Sequence, residues 1–251
     1  MRALFGLITG AVVLCVCIYA AYHSALYEAF SGARRQIVPT RLFYITVADR
    51  ASPGLTAMQQ AVEAQGEILN VIGLYEQRGT TTQLQAIHDL VNSPVCNSND
   101  IVLYTNAHDV LYCGDKETIL QRYAALSSPV VIGATKVDPG TYDVSADDAL
   151  TPFPYLDDGF VIGRVWALRE CLKDWAFDGA NWITQYLTRP DVIALDHEAS
   201  LFLNTDGVDK KDIQCEGSKV SFRCSTMPQF VKIIGSYDKA CTSRRVISQS
   251  G

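Results

Sequence analysis

The clearest pattern along the chain is a series of short apolar runs separated by segments with helical spacing. The first run is Leu42 to Ala48, with the sequence LFYITVA, and others follow at residues 68–74, 101–105 and 130–134. Apolar runs of this length are typical of buried strands. Between them, apolar residues recur every three or four positions, which predicts amphipathic helices. These positions are Met58, Ala61 and Val62, with the polar Gln65 at the next helical position, then Leu84, Ile87, Leu90 and Val91, then Ile119, Leu120 and Tyr123.

The alternation of strands and helices predicts an α/β domain with a mostly parallel sheet flanked by helices. Asp115 precedes the third helix and is its predicted N-cap. The second half of the chain is less regular. A loop rich in Asp, Gly and Pro at 136–154 is followed by a mixed region with few clear periods. In that half we predict strands at 160–163, 219–224 and 231–235 and a helix at 165–175.

The beginning of the chain forms a separate apolar segment. No residue from Ala3 to Tyr22 is charged, and about 20 apolar residues in a helix can cross a hydrocarbon core of about 30 Å. This predicts a transmembrane signal anchor at 1–22, a stem at 23–40 and a globular domain at 41–251. A cleaved signal peptide is the alternative, because Arg2 supplies a positive start. The long apolar run and the lack of a clean small-x-small cleavage site favour the anchor.

Charge and cysteine content limit the partners and the cellular compartment expected for the 251-residue chain. Its formal net charge is −6 and its basic pairs are isolated, which argues against nucleic acid as a partner. Outside the apolar segment the cysteines number six, without zinc-type spacing, which favours disulfides in an oxidising compartment. Together with the anchor, this predicts a single-pass protein of the endoplasmic reticulum or Golgi membrane with a lumenal C-terminal domain. Eligible pairs are Cys215 with Cys224 and Cys96 with Cys113, whereas a buried free thiol suits Cys171 equally well.

Polar residues cluster where the predicted strands end. In open parallel sheets, ligands bind at the carboxyl ends of the strands. A carboxylate there can hold a hard divalent cation that bridges the two phosphates of a nucleotide sugar. From spacing alone, a helix N-cap or turn residue is at least as probable for Asp109, and Asp157-Asp158 before a glycine is more often a turn than a site. The residues at these three strand ends are Thr46, Ala48 and Asp49, then Asn106, Ala107, His108 and Asp109, then Asp157, Asp158 and Gly159.

In their order, these motifs resemble the glycosyltransferase domain of the procollagen lysyl hydroxylases, which is of the GT-A type. LFYITVA and the later ILNVIGL resemble the opening of that domain, and IVLYTNAHDVLY resembles its Asp-Ser-Tyr-Asp-Val segment. YLDDGFVIG resembles its Leu-Asn-Ser-Gly-Gly-Phe-Ile-Gly segment, and DHEASLF resembles its Asp-Asp-Gln-Leu-Phe run. Order and spacing match from about Leu42 to Cys224. The resemblance implies a GT-A-like fold and metal-assisted transfer of a hexose from a UDP-sugar to a protein or glycan hydroxyl.

The resemblance also implies roles for individual residues. The nucleotide would be held by Thr46, Val47, Ala48, Asn106 and His108, with His108 stacked on the uracil. Mn²⁺ or another divalent cation would be held by Asp109, with Asn106 and Glu216 as lesser ligands. Candidates for contacting the sugar or deprotonating the acceptor are Asp157, Asp158, Asp196 and Glu198, because attack on an anomeric carbon needs a base or a stabilising carboxylate.

The chain departs from the family pattern at the metal site. The first metal aspartate of the family is Asn106 here, a neutral and poorer ligand for a hard cation. A family lysine is replaced by Leu84, and a late histidine ligand is missing near Glu216. Nothing resembles the family's dioxygenase part, so lysine hydroxylation is not implied. The alternative function is a catalytically inactive GT-A-like domain that binds a glycan or partner protein. A nucleotidyltransferase is disfavoured, because no glycine-rich phosphate loop follows the first strand.

Overall fold

The computed structural model describes residues 40–74, 82–140, 148–173, 181–216, 219–223 and 226–233. From Arg41 onward these residues belong to one compact unit. The strands are β1 (Leu42–Val47), β2 (Leu69–Ile72), β3 (Ile101–Thr105), β4 (Val110–Tyr112), β5 (Val130–Thr135), β6 (Tyr155–Arg164), β7 (Ile193–Leu195), β8 (Phe202–Asn204), β9 (Ile213–Glu216), β10 (Lys219–Phe222) and β11 (Phe230–Lys232). The helices are α1 (Pro53–Glu63), α2 (Gln83–Asn92), α3 (Lys116–Ala125), α4 (Val165–Leu172) and α5 (Trp182–Thr188).

A six-stranded sheet with the order β2-β1-β3-β6-β5-β7 forms the centre of the fold. β1 runs parallel to β2 and β3, and β5 runs parallel to β7, whereas β6 is antiparallel to both of its neighbours. The predicted α/β fold with a mostly parallel sheet is therefore confirmed. Since β6 runs in the opposite direction, its first residues lie at the same edge as the carboxyl ends of β1, β3 and β5.

β1, β3 and β5 are largely apolar because both faces of the sheet are covered. Ile101 and Leu103 of β3 belong to the core cluster that contains α1 and α3 residues, whereas Val102 and Tyr104 belong to the cluster that contains α2 and α4 residues. This division follows from the alternation of side chains along a strand. The predicted N-cap of α3 is confirmed, as the Asp115 carboxylate accepts a hydrogen bond from the Thr118 amide at 2.9 Å.

A second, three-stranded sheet has the order β4-β11-β8. Its strands have three residues each, too few for a clear period, and the sequence pattern predicted only β11, at 231–235. β9 and β10 form a separate antiparallel hairpin. β6 starts at Tyr155 rather than at the predicted Phe160, because its register with β5 shifts between Ile132 and Gly133. This bulge lets the strand continue past residues 158–160.

The turn from β7 to β8 is organised by the buried carboxylate of Asp196. Its Oδ1 accepts hydrogen bonds from the amide and hydroxyl of Ser200 at 2.9 and 2.8 Å. Its Oδ2 accepts from the amides of Leu201 and Phe202 at 2.6 and 2.9 Å. Four donors therefore converge on one carboxylate and fill the four acceptor sites that an ionised aspartate offers. The side chain is 0% exposed, so its contribution is to the conformation of this turn.

The cysteines differ in part from the expectation. Cys96 and Cys171 are buried free thiols, so the predicted Cys96–Cys113 disulfide is wrong. Burial raises the pKa of both thiols, that of Cys171 to about 11, which keeps them protonated and unreactive at neutral pH. Cys215 is disulfide-bonded. Cys224 lies outside the described residues, so its pairing with Cys215 stays a prediction.

Among the residues that the structure describes, no helix is long and apolar enough to cross a membrane. The predicted signal anchor at 1–22 lies outside the described residues, as does the predicted stem except for Thr40. Both stay predictions.

The arrangement around Asp196 leads to a stability prediction. In an Asp196→Asn variant the amide group replaces one acceptor oxygen and leaves two donors of the turn without a partner. Unsatisfied buried donors cost about 1–3 kcal/mol each, so we expect the free energy of unfolding to fall by about 2 kcal/mol or more. Urea denaturation measures this change, with Asp191→Asn as the control because Asp191 is exposed. Equal stability of the two variants would contradict the assignment.

Candidate functional site

The polar residues predicted at the strand ends meet at one edge of the central sheet. Thr46, near the end of β1, donates its hydroxyl proton to the carbonyl oxygen of Thr105, the last residue of β3, at 2.7 Å. The amide of Ala48 donates to Ile72 at the end of β2 at 3.0 Å. The side chains of Thr46 and Ala48 are buried and Val47 is half-buried. These residues therefore form the base of the edge on which a ligand would lie.

The segment between β3 and β4 carries the residues that resemble the family's metal motif. The amide of Asn106 donates to the Gly159 carbonyl at 3.0 Å, which ties the segment to β6. The Asn106 side-chain oxygen accepts a hydrogen bond from the Tyr104 hydroxyl at 3.2 Å. Asp109 is exposed, and its backbone carbonyl accepts the amide of Ile233 at 2.8 Å. Asn106 and Asp109 are thus held by different strands, β6 and the end of β11.

The loop between β1 and α1 positions the imidazole of His108. Its Nδ1 lies 2.8 Å from the Ser52 hydroxyl, and its Nε2 lies 3.8 Å from an Asp49 carboxylate oxygen. The backbone of Gly54, in the first turn of α1, lies directly against His108, because a Cβ on Gly54 would come within 2.0 Å of the His108 carbonyl oxygen. Only glycine permits this approach. The ring is therefore held through Nδ1, while Nε2 faces the Asp49 carboxylate and 39% of the side chain remains exposed.

Asp157, near the start of β6, is a buried carboxylate with partners on three strands. Oδ1 accepts a hydrogen bond from the backbone amide of Gly159 at 2.9 Å, and Oδ2 accepts one from the side-chain amide of Asn204 at 2.6 Å. The Lys232 ammonium lies 3.3 Å from Oδ1 and 3.4 Å from Oδ2. Asn204 and Lys232 are partners in the parallel register of β8 and β11, so their side chains extend from the same face. The side chains of Asp157 and Lys232 are only 7% and 16% exposed.

Asp158, the next residue, points in the opposite direction and is exposed. Although water reaches it, desolvation by the surrounding protein raises the pKa of its carboxyl, and the negative charge of Asp157 adds to this rise. The positive charge of Lys232 acts against it. The backbone carbonyl of Asp158 accepts the Gln83 side-chain amide at 2.5 Å. A carboxyl with a raised pKa is a stronger base once it is ionised.

The buried phenol of Tyr104 interacts electrostatically with two of the acidic residues, Asp109 and Asp158. Burial raises the pKa of its phenol, and the negative charges of Asp158 and Asp109 raise it further. Both carboxylates therefore lie close enough to affect the same hydroxyl. The structure brings together Tyr104, Asn106, Asp109, Asp157 and Asp158, in agreement with the expectation from parallel-sheet topology.

The other predicted site residues are placed differently. Asp196 is occupied by the four hydrogen bonds of its turn, which argues against it as an acceptor base. Glu198 is exposed on the same turn. Glu216 is exposed at the end of β9, opposite Lys219 in the hairpin.

The side chains at this edge offer few ligands for the expected divalent cation. Within the described ranges, no group of three or more His, Cys, Asp or Glu side chains could hold a metal ion. The oxygen of Asn106 already accepts the Tyr104 hydroxyl. The Lys232 ammonium among the carboxylates would also repel a cation. The described residues therefore do not fit a divalent cation held by protein ligands alone.

The sequence pattern did not identify several residues that complete the site. Tyr104 was assigned only to a strand, and Asn204 and Lys232 belong to strands too short for a clear period. One signal was available for Lys232, since it is a charged residue between Val231 and Ile233 in an otherwise apolar run. Such a residue requires a counter-charge if it is buried.

Comparison with known proteins extends the picture of the fold. A solved glycosyltransferase involved in the glycosylation of the major capsid of PBCV-1 is similar in structure, with a TM-score of 0.50 at 8% identity. The similarity covers 81% of this chain and 99% of that one. A 2-C-methyl-D-erythritol 4-phosphate cytidylyltransferase of Francisella tularensis is more distant, with a TM-score of 0.37, 10% identity and coverage of 62% and 90%. The fold is thus similar to that of GT-A glycosyltransferases.

Sequence comparison identifies the family directly. No curated protein sequence matches the chain. A family model described as "PLOD GT domain" matches residues 38–235, which is most of the chain and includes all the site residues above. The chain therefore belongs to the PLOD glycosyltransferase-domain family.

Proposed function

We propose that the protein transfers a hexose from a UDP-sugar to a hydroxyl group of a protein or glycan. The observation that carries this proposal is the cluster at the carboxyl edge of the sheet, where Asp158 is exposed beside Asn106 and Asp109. This is the edge at which open α/β sheets bind their ligands. Membership of a glycosyltransferase family supports the reaction class. The UDP-hexose donor is the more specific part of the proposal.

His108 is the residue that we assign to the nucleotide base. Its Nδ1 is hydrogen-bonded with the Ser52 hydroxyl at 2.8 Å, and its Nε2 lies 3.8 Å from an Asp49 carboxylate oxygen. Because this hydrogen bond holds the ring and 39% of the side chain is exposed, a planar base could stack on a face of the imidazole. Stacking of a base on an aromatic side chain contributes about 1–3 kcal/mol. The buried end of β1, with Thr46, Val47 and Ala48, would limit how deeply the nucleotide enters.

Asp158 is the carboxylate that we assign as the base. In the transfer, the bond between the anomeric carbon and the diphosphate oxygen breaks, and its electron pair remains on the diphosphate. The acceptor oxygen forms the new bond to the anomeric carbon and gives its proton to the base. Asp157 and Asp196 are occupied by several donors each. Asp158 combines exposure with a raised pKa.

Mn²⁺ was the expected cofactor, with Asp109 as its main ligand. Because the described residues do not fit such an ion, we assign no step to it. Dependence on a divalent cation is instead measured directly in the experiments below. The altered motif also favours a second candidate function, a domain that binds a glycan or partner protein without turnover. The observation behind it is the neutral Asn106, whose oxygen is already hydrogen-bonded to Tyr104.

Donor turnover tests the proposed function without knowledge of the acceptor. The purified full chain is incubated with UDP-glucose, UDP-galactose and GDP-mannose, with Mn²⁺ or with chelator, and release of the nucleotide is measured. We expect UDP release from at least one UDP-hexose, with water as the acceptor, and only background release from GDP-mannose. A protein that binds a glycan but releases no nucleotide would support the second candidate instead.

The assignment of Asp158 leads to a pH-dependent prediction. Asp158→Asn removes the base, so kcat for UDP release should fall by about 100-fold while the donor KM changes little. In the unaltered protein, the rate should fall on acidification through the raised pKa of Asp158, because the protonated carboxyl cannot accept a proton. The residual activity of the variant should lack this acidic limb. Asp191→Asn is the matched control, because Asp191 is exposed and precedes β7, away from the carboxyl edge of the sheet, and an equal loss in both variants would contradict the assignment.

Localisation follows from the apolar segment and is part of the proposal. We propose a single-pass protein of the endoplasmic reticulum or Golgi membrane with its C-terminal domain in the lumen. After carbonate extraction the protein should remain in the membrane fraction, and its C-terminal domain should be protected from protease in intact vesicles. Recovery of a soluble form that starts near Ala21 or Ser24 would show a cleaved signal peptide.

A further inference from the structure

The charge of the site presents a difficulty for any nucleotide-sugar donor. This edge of the sheet carries three carboxylates, those of Asp109, Asp157 and Asp158. A diphosphate brings further negative charge, and like charges at close range repel strongly where water is partly excluded. Binding therefore requires a cation at this edge. The residue in the position of the family's first metal aspartate, Asn106, carries no charge.

Lys232 places a positive charge in this region. Its ammonium lies 3.3 and 3.4 Å from the two oxygens of Asp157, and its charge also affects Asp158. The backbone of the next residue, Ile233, donates to the Asp109 carbonyl. Lys232 is therefore anchored beside the Asn106–Asp109 segment. Within the described part of the chain, Asp157 is its side-chain partner.

The geometry of this ion pair leaves the ammonium available to a ligand. Charge-assisted hydrogen bonds between nitrogen and oxygen are typically about 2.7–2.9 Å long, so both Lys232 contacts are loose. Asp157 already accepts shorter hydrogen bonds from Gly159 at 2.9 Å and Asn204 at 2.6 Å. An ammonium has three donors. The ammonium can therefore donate to a phosphate oxygen as well as to Asp157, and Asp157 keeps its hydrogen bonds from Gly159 and Asn204.

We propose that the ammonium of Lys232 binds the diphosphate of the donor and supplies the positive charge for its departure, so that transfer proceeds without a divalent cation. This inference rests on the proposed function. The ammonium of Lys232 donates hydrogen bonds to the diphosphate oxygen on which the electron pair accumulates. Asp157 holds the ammonium in place before the donor binds, and Asn204 and Gly159 hold Asp157.

The test compares three variants of the full chain in chelator, with UDP binding by calorimetry and UDP release as readouts. Lys232→Met removes the ammonium at similar side-chain length. Asp157→Asn/Lys232→Met also removes the carboxylate that the single variant would leave buried without its counter-charge, which separates loss of charge from loss of stability. Lys173→Met is the control, since Lys173 pairs with Glu170 and is 51% exposed.

We expect the unaltered protein and Lys173→Met to bind UDP and to release it from the donor equally well in chelator and in Mn²⁺. Both variants at Lys232 should bind UDP about tenfold more weakly or worse, and kcat should fall by about 100-fold. The loss should persist in the double variant even where its thermal unfolding matches that of the unaltered protein.

Each other outcome has a definite meaning. If turnover stops in chelator, returns with Mn²⁺ and is unchanged in Lys232→Met, then Lys232 is only the counter-ion of Asp157 and the inference is overturned, while the proposed function stands. If no donor is turned over but UDP binds in chelator and depends on Lys232, the transfer proposal fails and the assignment of the diphosphate contact stands. If the protein binds no UDP under any condition, both are wrong.

Discussion

The buried carboxylate of Asp157 is the interaction on which the arrangement of the site depends. It connects the central sheet, through β6, with the second sheet, through Asn204 of β8 and Lys232 of β11. An ionised group that is 7% exposed is costly unless it is fully hydrogen-bonded and paired. Removal of one partner from such a pair typically costs about 3–5 kcal/mol. The relative positions of the two sheets at this edge are therefore constrained by polar contacts as well as by apolar packing.

The alternation of side chains along β6 explains why two adjacent aspartates differ so strongly in their surroundings. Neighbouring residues on a strand point to opposite sides, so Asp157 is buried whereas Asp158 faces solvent. Gly159 makes this possible, because a Cβ there would lie 2.9 Å from the Asn106 amide nitrogen and 3.0 Å from Asp157 Oδ1. The absence of a side chain lets the β3–β4 segment approach β6. Structural and chemical roles are thereby divided between consecutive residues of one strand.

The electrostatics of this edge differ from those of a site built around paired aspartates. One of the positions that would supply a carboxylate holds the neutral Asn106, and the ammonium of Lys232 lies close by. A neutral residue weakens cation binding, and a neighbouring positive charge weakens it further. Both features act in the same direction. They weaken cation binding by the protein's own ligands and leave the Lys232 ammonium as the positive charge at this edge among the described residues.

The sequence alone was sufficient for the strands β1, β2, β3 and β5 and the helices between them, for the α/β class and for the family. This is because β1, β3 and β5 are continuous apolar runs covered on both faces, and because Asp115 is a local helix cap that needs no tertiary information. The strand ends also indicated Asn106, Asp109, Asp157 and Asp158, since parallel topology brings such positions to one edge.

The tertiary structure alone decided which of these residues are buried and hydrogen-bonded and which are exposed to a ligand. β4, β8 and β11 have three residues each and are held by pairing partners far away in the chain, which a local period does not reveal. Asp196 and Asp158 look alike in sequence, but one is enclosed by four donors and the other faces solvent. The contact between Lys232 and Asp157 joins residues 75 positions apart. Charge, burial and hydrogen bonding at a site depend on such long-range contacts, so residue type and spacing determined the location of the site and the three-dimensional fold determined its chemistry.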